Sequence, residues 1–393
     1  MPRLRRYKMH NCQALVISMR NRIVTMQFAR PNPNQQKGLA IITVMLIIAL
    51  MVTLLGFLVE QQHLLIRRIA NQNVAEQGYQ YAAGVDAWAA RVLHDDPDRA
   101  TDHWGEDWAR FGEDPEDQPE GESGFSLDPS GQREREKLPV IDFGNDAVLE
   151  FQLVDLMGLY NLNNLAVKDP RVKRDQRIIF LNLLSILEVG EFDEREKLYG
   201  ALVDWLDANK ETSANGAESS DYRIKRTPYH AADQKLTTIG ELRFVEGFTN
   251  EIVNTLKPHV SVLPIDTAKI NINTTSTQVL AAMSAVPVLD TGSVATFLAR
   301  RSAEVFQGFQ SADIQQANNA IIGTRPVGGN YVRNMLQTTS QFFQINTRVK
   351  LGGYLYCTKT IVLREGANPN GGATPKVTIL TREQSTLCDE IVR

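Results

Sequence analysis

Residues 39–59 read LAIITVMLIIALMVTLLGFLV, a run of 21 without a charge or a proline. As a helix it covers roughly 30 Å, about the thickness of a bilayer's hydrocarbon core. Backbone amides in lipid must be paired within the segment, so a lone span of this kind has to be helical. Its flanks set a direction. Arg3, Arg5, Arg6, Lys8, Arg20, Arg22, Arg30 and Lys37 precede it with no acid among them, and Glu60 follows at once. Without those eight, 34 basic residues face 46 acidic ones, a net of −12. Positive charge stays on the cytoplasmic side, so the acidic body is expected to be exported. A removable secretory signal would have a shorter apolar region, about 7–15 residues, and a small-residue cleavage box. Here Glu60-Gln61-Gln62-His63-Leu64-Leu65-Ile66-Arg67-Arg68 comes next, and a retained anchor is expected. The composition, 43% hydrophobic and 22% charged, excludes wholesale disorder and a polytopic membrane protein.

The helical pattern does not stop at the membrane. Leu64, Leu65, Ile69, Ala75, Ala82, Ala83 and Trp88 recur at the spacings of one helical face, and Pro97 is the first firm stop. A single helix over 39–95 follows, roughly 80 Å long.

Lys37-Gly38 directly before Leu39-Ala40-Ile41-Ile42-Thr43 resembles the class III signal of type IV pilins and type II secretion pseudopilins. The resemblance implies that residues 1–38 are a basic leader, cut by a prepilin peptidase between Gly38 and Leu39. It also implies that Leu39 is then methylated and that the apolar helix is kept for assembly. The leader is longer than those of this group usually are, and Met19 or Met26 is an alternative start. Most such subunits carry Glu at the fifth mature position, where this chain has Thr43. That carboxylate would face a neighbour's terminal amine in lipid, where an unpaired charge is costly. A subunit with nothing above it has no amine to neutralise.

Further stretches carry the resemblance along the chain: Arg67-Arg68-Ile69-Ala70-Asn71, Gln80-Tyr81-Ala82-Ala83-Gly84-Val85-Asp86-Ala87-Trp88-Ala89 and Gly105-Glu106-Asp107-Trp108-Ala109. Asp155-Leu156-Met157-Gly158-Leu159-Tyr160-Asn161-Leu162-Asn163-Asn164-Leu165 and Ile270-Asn271-Ile272-Asn273-Thr274 follow. Together they resemble the minor pseudopilin K family of type II secretion, from Lys37 to about Arg382. That implies an α+β fold: a pilin-like long N-terminal helix packed on an antiparallel sheet, interrupted by a large inserted α-helical domain of SAM-like or helix-hairpin-helix-like units. It implies a single pass through a bacterial inner membrane, with a periplasmic C-terminal domain. Partners would be minor pseudopilins I and J, with H as a further candidate, and the major pseudopilin G below. The role would be to cap the pseudopilus tip and initiate its assembly for export across the outer membrane.

The residues divide accordingly. Segment 96–137 is rich in Glu, Asp, Pro, Gly and Ser and reads as an acidic loop or linker. Alternation at 140–143, 147–154, 343–349, 354–363 and 376–380 predicts strands, placing a sheet in 138–165 and 340–393. The intervening 166–339 is helical in pattern, with faces at Ile178, Ile179, Leu183, Leu184 and Leu187 and at Leu198, Leu202, Val203 and Leu206. Short helices are expected at 238–245, 249–256, 275–283 and 291–301.

Among candidate sites, Asp207, Asn209, Glu211 and Glu218 fall at positions one, three, five and twelve of an EF-hand-like count, with Asp221 close behind. Closely spaced oxygen ligands in a loop are what hard Ca²⁺ demands. Position six is Thr212 where the sharp turn needs Gly, so the register is not that of a true EF-hand. The family resemblance implies structural calcium here by another geometry; a solvated acidic loop is the alternative. Cys357 and Cys388 would lie in an oxidising compartment with a hairpin between them, either as a disulfide on the last strand or as two buried thiols.

Catalytic patterns are missing: there is no H-E-x-x-H, G-x-S-x-G, Walker A loop or G-x-G-x-x-G. A structural protein is expected, not an enzyme. Asn271-Ile272-Asn273-Thr274 before a helix also suggests a rival, a membrane-anchored DNA-uptake protein. The Gly-rich hairpin that would donate amides to phosphate is replaced by Ala285-Val286-Pro287-Val288-Leu289, and the body is acidic. No nucleic acid is expected as partner, and Thr274 or Thr275 would cap a helix. Mass spectrometry of the membrane-extracted chain should find an N-terminus at Leu39 carrying one methyl group; an intact leader would remove the prepilin reading.

Overall fold

The computed structural model describes residues 36–98, 100–110, 126–127, 133–134, 140–144, 147–265, 267–284, 291–303, 335–366, 375–385 and 388. Most of the expected leader, most of 111–137 and the stretch 285–289 lie outside the described residues. Helix α1 runs Gln36–Asp95, and the chain divides into two compact units, Met1–Ala70 and Asn71–Arg393. Within the first unit, residues 39–59 of α1 are apolar on every side, with Leu39, Met45, Leu50 and Leu58 all exposed. It is the one helix among the described residues long and apolar enough to cross a membrane. Thr43 and Thr53 do not break this surface, because each hydroxyl donates back along the helix, to the carbonyls of Ala40 (2.9 Å) and Leu50 (2.8 Å).

In the second unit five strands form one antiparallel sheet: β1 (Val140–Asp142), β2 (Ala147–Asp155), β3 (Phe342–Leu351), β4 (Tyr354–Glu365) and β5 (Lys376–Ser385), in the order β5-β4-β3-β2-β1. Strands β2 and β3 are neighbours, Asp155 opposite Phe343, although the whole helical block separates them in sequence. Strict alternation along β2 puts Leu149, Phe151 and Leu153 on the inner face. The last turns of α1 lie on this face through Ala82, Val85, Ala89 and Leu93, packed with Phe343, Ile345, Val349 and Val362. The face expected from sequence ran through Ala75, Ala82, Ala83 and Trp88; Ala82 is buried as expected, but Trp88 is 44% exposed and Ala75 faces out. The buried stripe is rotated toward the smaller side chains, which let the helix backbone close on the sheet.

Two expectations need correction. The stretch from 96 onward, expected as linker, is packed over 101–109. Trp104 is 8% exposed, Trp108 1% and Ala109 buried outright, with Trp108 set edge-on to Phe343 at 5.1 Å. Two indoles bury enough apolar area to anchor an otherwise acidic segment. The residue that caps the helix Thr277–Ala282 is Ser276, whose hydroxyl accepts from Val279 N–H, not Thr274 or Thr275.

The block between β2 and β3 contains α2 (Pro170–Ile186), α3 (Phe192–Leu206), α4 (Ser219–Arg223), α5 (Asn250–Leu256), α6 (Thr277–Ala282) and α7 (Thr291–Ala303). Residues 239–244 form a 3₁₀ turn closed by the reciprocal cap of Thr238 and Glu241. Helix α2 begins where Asp169 accepts from Arg171 N–H and Pro170 supplies a preset φ. Its buried side, Ile179, Phe180, Leu183 and Leu184, meets Leu198, Leu202 and Leu206 of α3.

The asparagine-rich motif explains how the block is tied together. The side chains of Asn161, Asn163 and Asn164 are fully buried and act as short substitutes for strand ladders. Asn161 accepts from Leu263 N–H at 2.9 Å, Asn163 both accepts from and donates to Leu236, and Asn164 does the same with Ala268. An amide side chain offers both a donor and an acceptor, which is what two strandless loops need in a dry interior.

Gly78 lies under Tyr356 of β4, and a Cβ there would fall 2.5 Å from Tyr356 Cγ. Gly78→Ala should therefore cost about 1–3 kcal/mol by overpacking, read as a lower denaturation midpoint at unchanged m-value.

Candidate metal centre

The loop from α3 to α4 holds the acidic residues singled out in the sequence. Asp207 is the C-cap of α3 and its Oδ1 accepts from Asn209 N–H (3.1 Å); Asn209 Oδ1 in turn accepts from Glu211 N–H (2.7 Å). Asn209 and Glu211 are exposed, and their side chains belong to these successive turns. Glu218 is the N-cap of α4 and is 3% exposed; Asp221 closes the cap by accepting from Glu218 N–H at 2.9 Å. Oδ2 of Asp221 is thus engaged at the helix start.

Two further carboxyls, Asp204 and Asp233, act on Asp207 and Glu218 by their charge. Asp204 is fully buried and both its oxygens accept from Ser213 N–H. A Cβ on Gly216 would stand 1.9 Å from Asp204 Oδ2, so the loop closes over this carboxylate only because residue 216 has no side chain. Asp233 is held at φ 50°, in the left-handed region. One oxygen each of Glu218 and Asp233 (Oε1 and Oδ1) is buried without a hydrogen-bond partner. Burial pushes the carboxyl of Glu218 above its usual range, and the charges of Asp204, Asp233 and Asp207 push it further. Asp207 is raised in the same way, by burial first, against Lys173 and with Asp204 and Asp233.

Two buried, unpartnered carboxyl oxygens, on Glu218 and Asp233, supply the hard oxygen donors that a calcium ion takes, although the four carboxyls are not drawn into a closed set of ligands. Asp204 heads the acidic stretch 204–221, on the last turn of α3. Asp233 lies beyond that stretch, and only the fold brings it back.

The tightest carboxylate group among the described residues is elsewhere: Asp96, Asp102 and Glu106 bring oxygens within 4.8 Å of one another. Arg364 already serves that group, through Asp96 (2.7 Å) and Asp102 (2.5 Å), so its charge is met by a guanidinium.

The other singled-out positions fall into place around the fold. Gly38 and Leu39 are exposed residues of α1. Cys357 on β4 is bonded to Cys388, both buried. Asn271 is fully buried, and its amide donates to Asp102 O, Asp155 Oδ2 and Ser340 Oγ. The Asn271–Thr274 segment that could have met a phosphate backbone is turned into the protein interior.

Comparison with known proteins adds three findings. A family model described as type II secretion system protein K matches residues 158–265. Type II secretion system protein K of Pseudomonas aeruginosa is 31% identical over 325 residues, 81% of this chain and 85% of that protein. The protein of the same name from Pectobacterium carotovorum is 28% identical over 335 residues, 81% and 90%. Among solved structures, the crystal structure of the GspK-GspI-GspJ complex from enterotoxigenic Escherichia coli contains a chain that superposes with a TM-score of 0.60. It is 18% identical, covering 81% of this chain and 99% of that one.

Proposed function

The chain belongs to the type II secretion system protein K family, and on that premise we propose that it caps the tip of the secretion pseudopilus and starts its assembly. One observation carries the reading: α1 offers an uninterrupted apolar surface in which Thr43 satisfies its own hydroxyl and brings no charge into the membrane. A subunit that must accept another above it would place a carboxylate there for the incoming amine. One that stands uppermost gains nothing from a charge that lipid penalises.

The leader keeps the N-terminus cytoplasmic and prepilin peptidase cuts between Gly38 and Leu39. The acidic second unit lies in the periplasm. The likeness to a chain solved with GspI and GspJ supports those two minor pseudopilins as lateral partners. Pseudopilin H is a further neighbour and the major pseudopilin G extends the shaft below. Chemistry has no part in this role, in keeping with the missing nucleophile and metallohydrolase motifs.

Calcium is a structural component of this reading. Asp204, Asp207, Glu218 and Asp233 would hold it. The ion would neutralise four carboxyls that otherwise repel one another, and so fasten the end of α3 to the start of α4. Adding Ca²⁺ at about 100 times its dissociation constant should stabilise the full chain by about 2.7 kcal/mol over EDTA. Glu218→Gln should remove most of that gain in a thermal melt.

Assembly is tested by mixing and by deletion. The purified chain should co-elute with the I and J pseudopilins, and its deletion should stop both pseudopilus formation and secretion. Secretion at normal levels in the deletion strain, or indifference to I and J on the column, would sink the cap.

A further inference from the structure

One guanidinium, bonded to two of them, stands among four carboxyls where α1, β4, the 101–109 segment and the helical block meet. Arg364 is 1% exposed; its Nη1 donates to Asp96 Oδ2 at 2.7 Å and its Nη2 to both oxygens of Asp102 at 2.5 Å. Asp155, at the end of β2, is 2% exposed and raises Asp102 by its charge. Glu106 has a side chain 9% exposed beside Asp96 and Asp102. Were all four ionised, three negative charges would be left over in a low-dielectric interior.

The hydrogen bonds single out one of the four. Asp96 Oδ1 accepts from Asp98 N–H, and Asp102 Oδ2 also accepts from Ser340 N–H. Asp155 accepts from Met157 N–H, Asn271 Nδ2, Thr274 Oγ1 and Ser340 Oγ. Glu106 Oε2 accepts from His103 N–H and Trp108 Nε1, whereas its Oε1 is buried without a hydrogen-bond partner. The other group facing Oε1 is His103, with Nε2 3.8 Å away. Burial lowers the His103 pKa, against the charge of Asp98, so the ring brings no positive charge at neutral pH. A divalent cation is disfavoured here because Arg364 already occupies the oxygens of Asp96 and Asp102.

We propose that Glu106 carries a proton on Oε1 at neutral pH, and that this proton makes the joint between α1, the sheet and the helical block a latch that opens as pH rises. Burial first, then the charges of Asp102 and Asp96, push the Glu106 carboxyl up to about 9. In the unfolded chain a glutamate loses its proton near about 4.3. The folded state therefore binds the extra proton between those values. Its stabilisation is complete below the unfolded value and is lost as pH climbs through about 9. Burial raises Asp102 too, against the pull of Arg364, but both its oxygens accept from that guanidinium, and the charge it keeps there pushes Glu106 up. Opening would release Trp104 and Trp108 from the sheet, and with them the end of α1.

The test uses the full chain in detergent micelles. The wild-type melting temperature should fall from neutral pH to about pH 10, and Glu106→Gln, which keeps the shape without the charge, should at least halve that fall. In parallel, infrared spectra should show a protonated-carboxyl band at neutral pH that disappears on alkaline titration and is missing from E106Q. An equally steep fall in E106Q, or no such band in the wild type, overturns the proposal. Loss in E106Q of a Ca²⁺-induced rise in melting temperature would also overturn it, by assigning a cation to the place of the proton. Should E106Q fail to fold, the wild-type infrared titration decides alone.

Discussion

The second unit is tied together by one buried arginine. Arg364 reaches the end of α1 through Asp96, the following segment through Asp102 and the strand entry through Ser340 O. Asp102 and Asp155 pass the connection to Asn271 and Thr274, the point where the helical block rejoins the sheet. A buried guanidinium with several planar donors can bridge elements that share no strand or helix, which a point-charge ammonium does poorly. Its face also lies 5.0 Å from the Phe343 ring, so the hydrophobic core and the polar joint are built on the same strands. Removing one partner from such a network leaves charge stranded in the interior, which is why these residues stand or fall together.

That joint solves a problem set by the inserted block. Strands β2 and β3 must pair across an excursion that holds a hydrophobic core of its own. Without a fixed exit geometry, the register of β2 on β3 could slip and exchange inner for outer faces. Asp155 is the last residue of β2, and Ser340 stands just before β3; the hydrogen bond between them at 2.6 Å closes the neck of the insertion. Gly158 then lets Thr274 come close, since a Cβ there would lie 2.7 Å from Thr274 Oγ1.

Legibility in the sequence followed the range of the interactions. The strands at 147–155 and 354–365 and the faces of α2 and α3 are local periodicities, and alternation or helical spacing exposes them directly. The Asp-Leu-Met-Gly and Asn-Asn stretches were recognisable as a pattern, but their meaning was not. Nothing local indicates that Asn163 will bond to Leu236 or Asn161 to Leu263. The packed segment at 101–109 was hidden by its acidic neighbours, because composition averages two tryptophans into a polar background. The acidic cluster was half visible. Asp207 and Glu218 announced themselves by spacing, whereas Asp233, distant in sequence, acts on them only in the folded chain. Arg364 carried no local sign at all: in a strand it looks like one more outward-facing charge.

The helix α1 works in two solvents, and its sequence shows how one continuous element is adapted to both. In lipid there is no gain from burying one apolar side chain against another, so residues 39–59 are apolar all round and select partners by shape. In water the gain is large, and the same helix narrows to the stripe Ala82, Val85, Ala89 and Leu93, with Asp86 beside it held by Thr360 and Arg382. Burial raises the pKa of Asp86, and the arginine and the hydroxyl oppose that shift, so the ion pair spends most of its attraction on desolvation. What such a pair supplies is orientation: it fixes the rotation of the helix on the sheet where an alanine-rich stripe alone would let it slide.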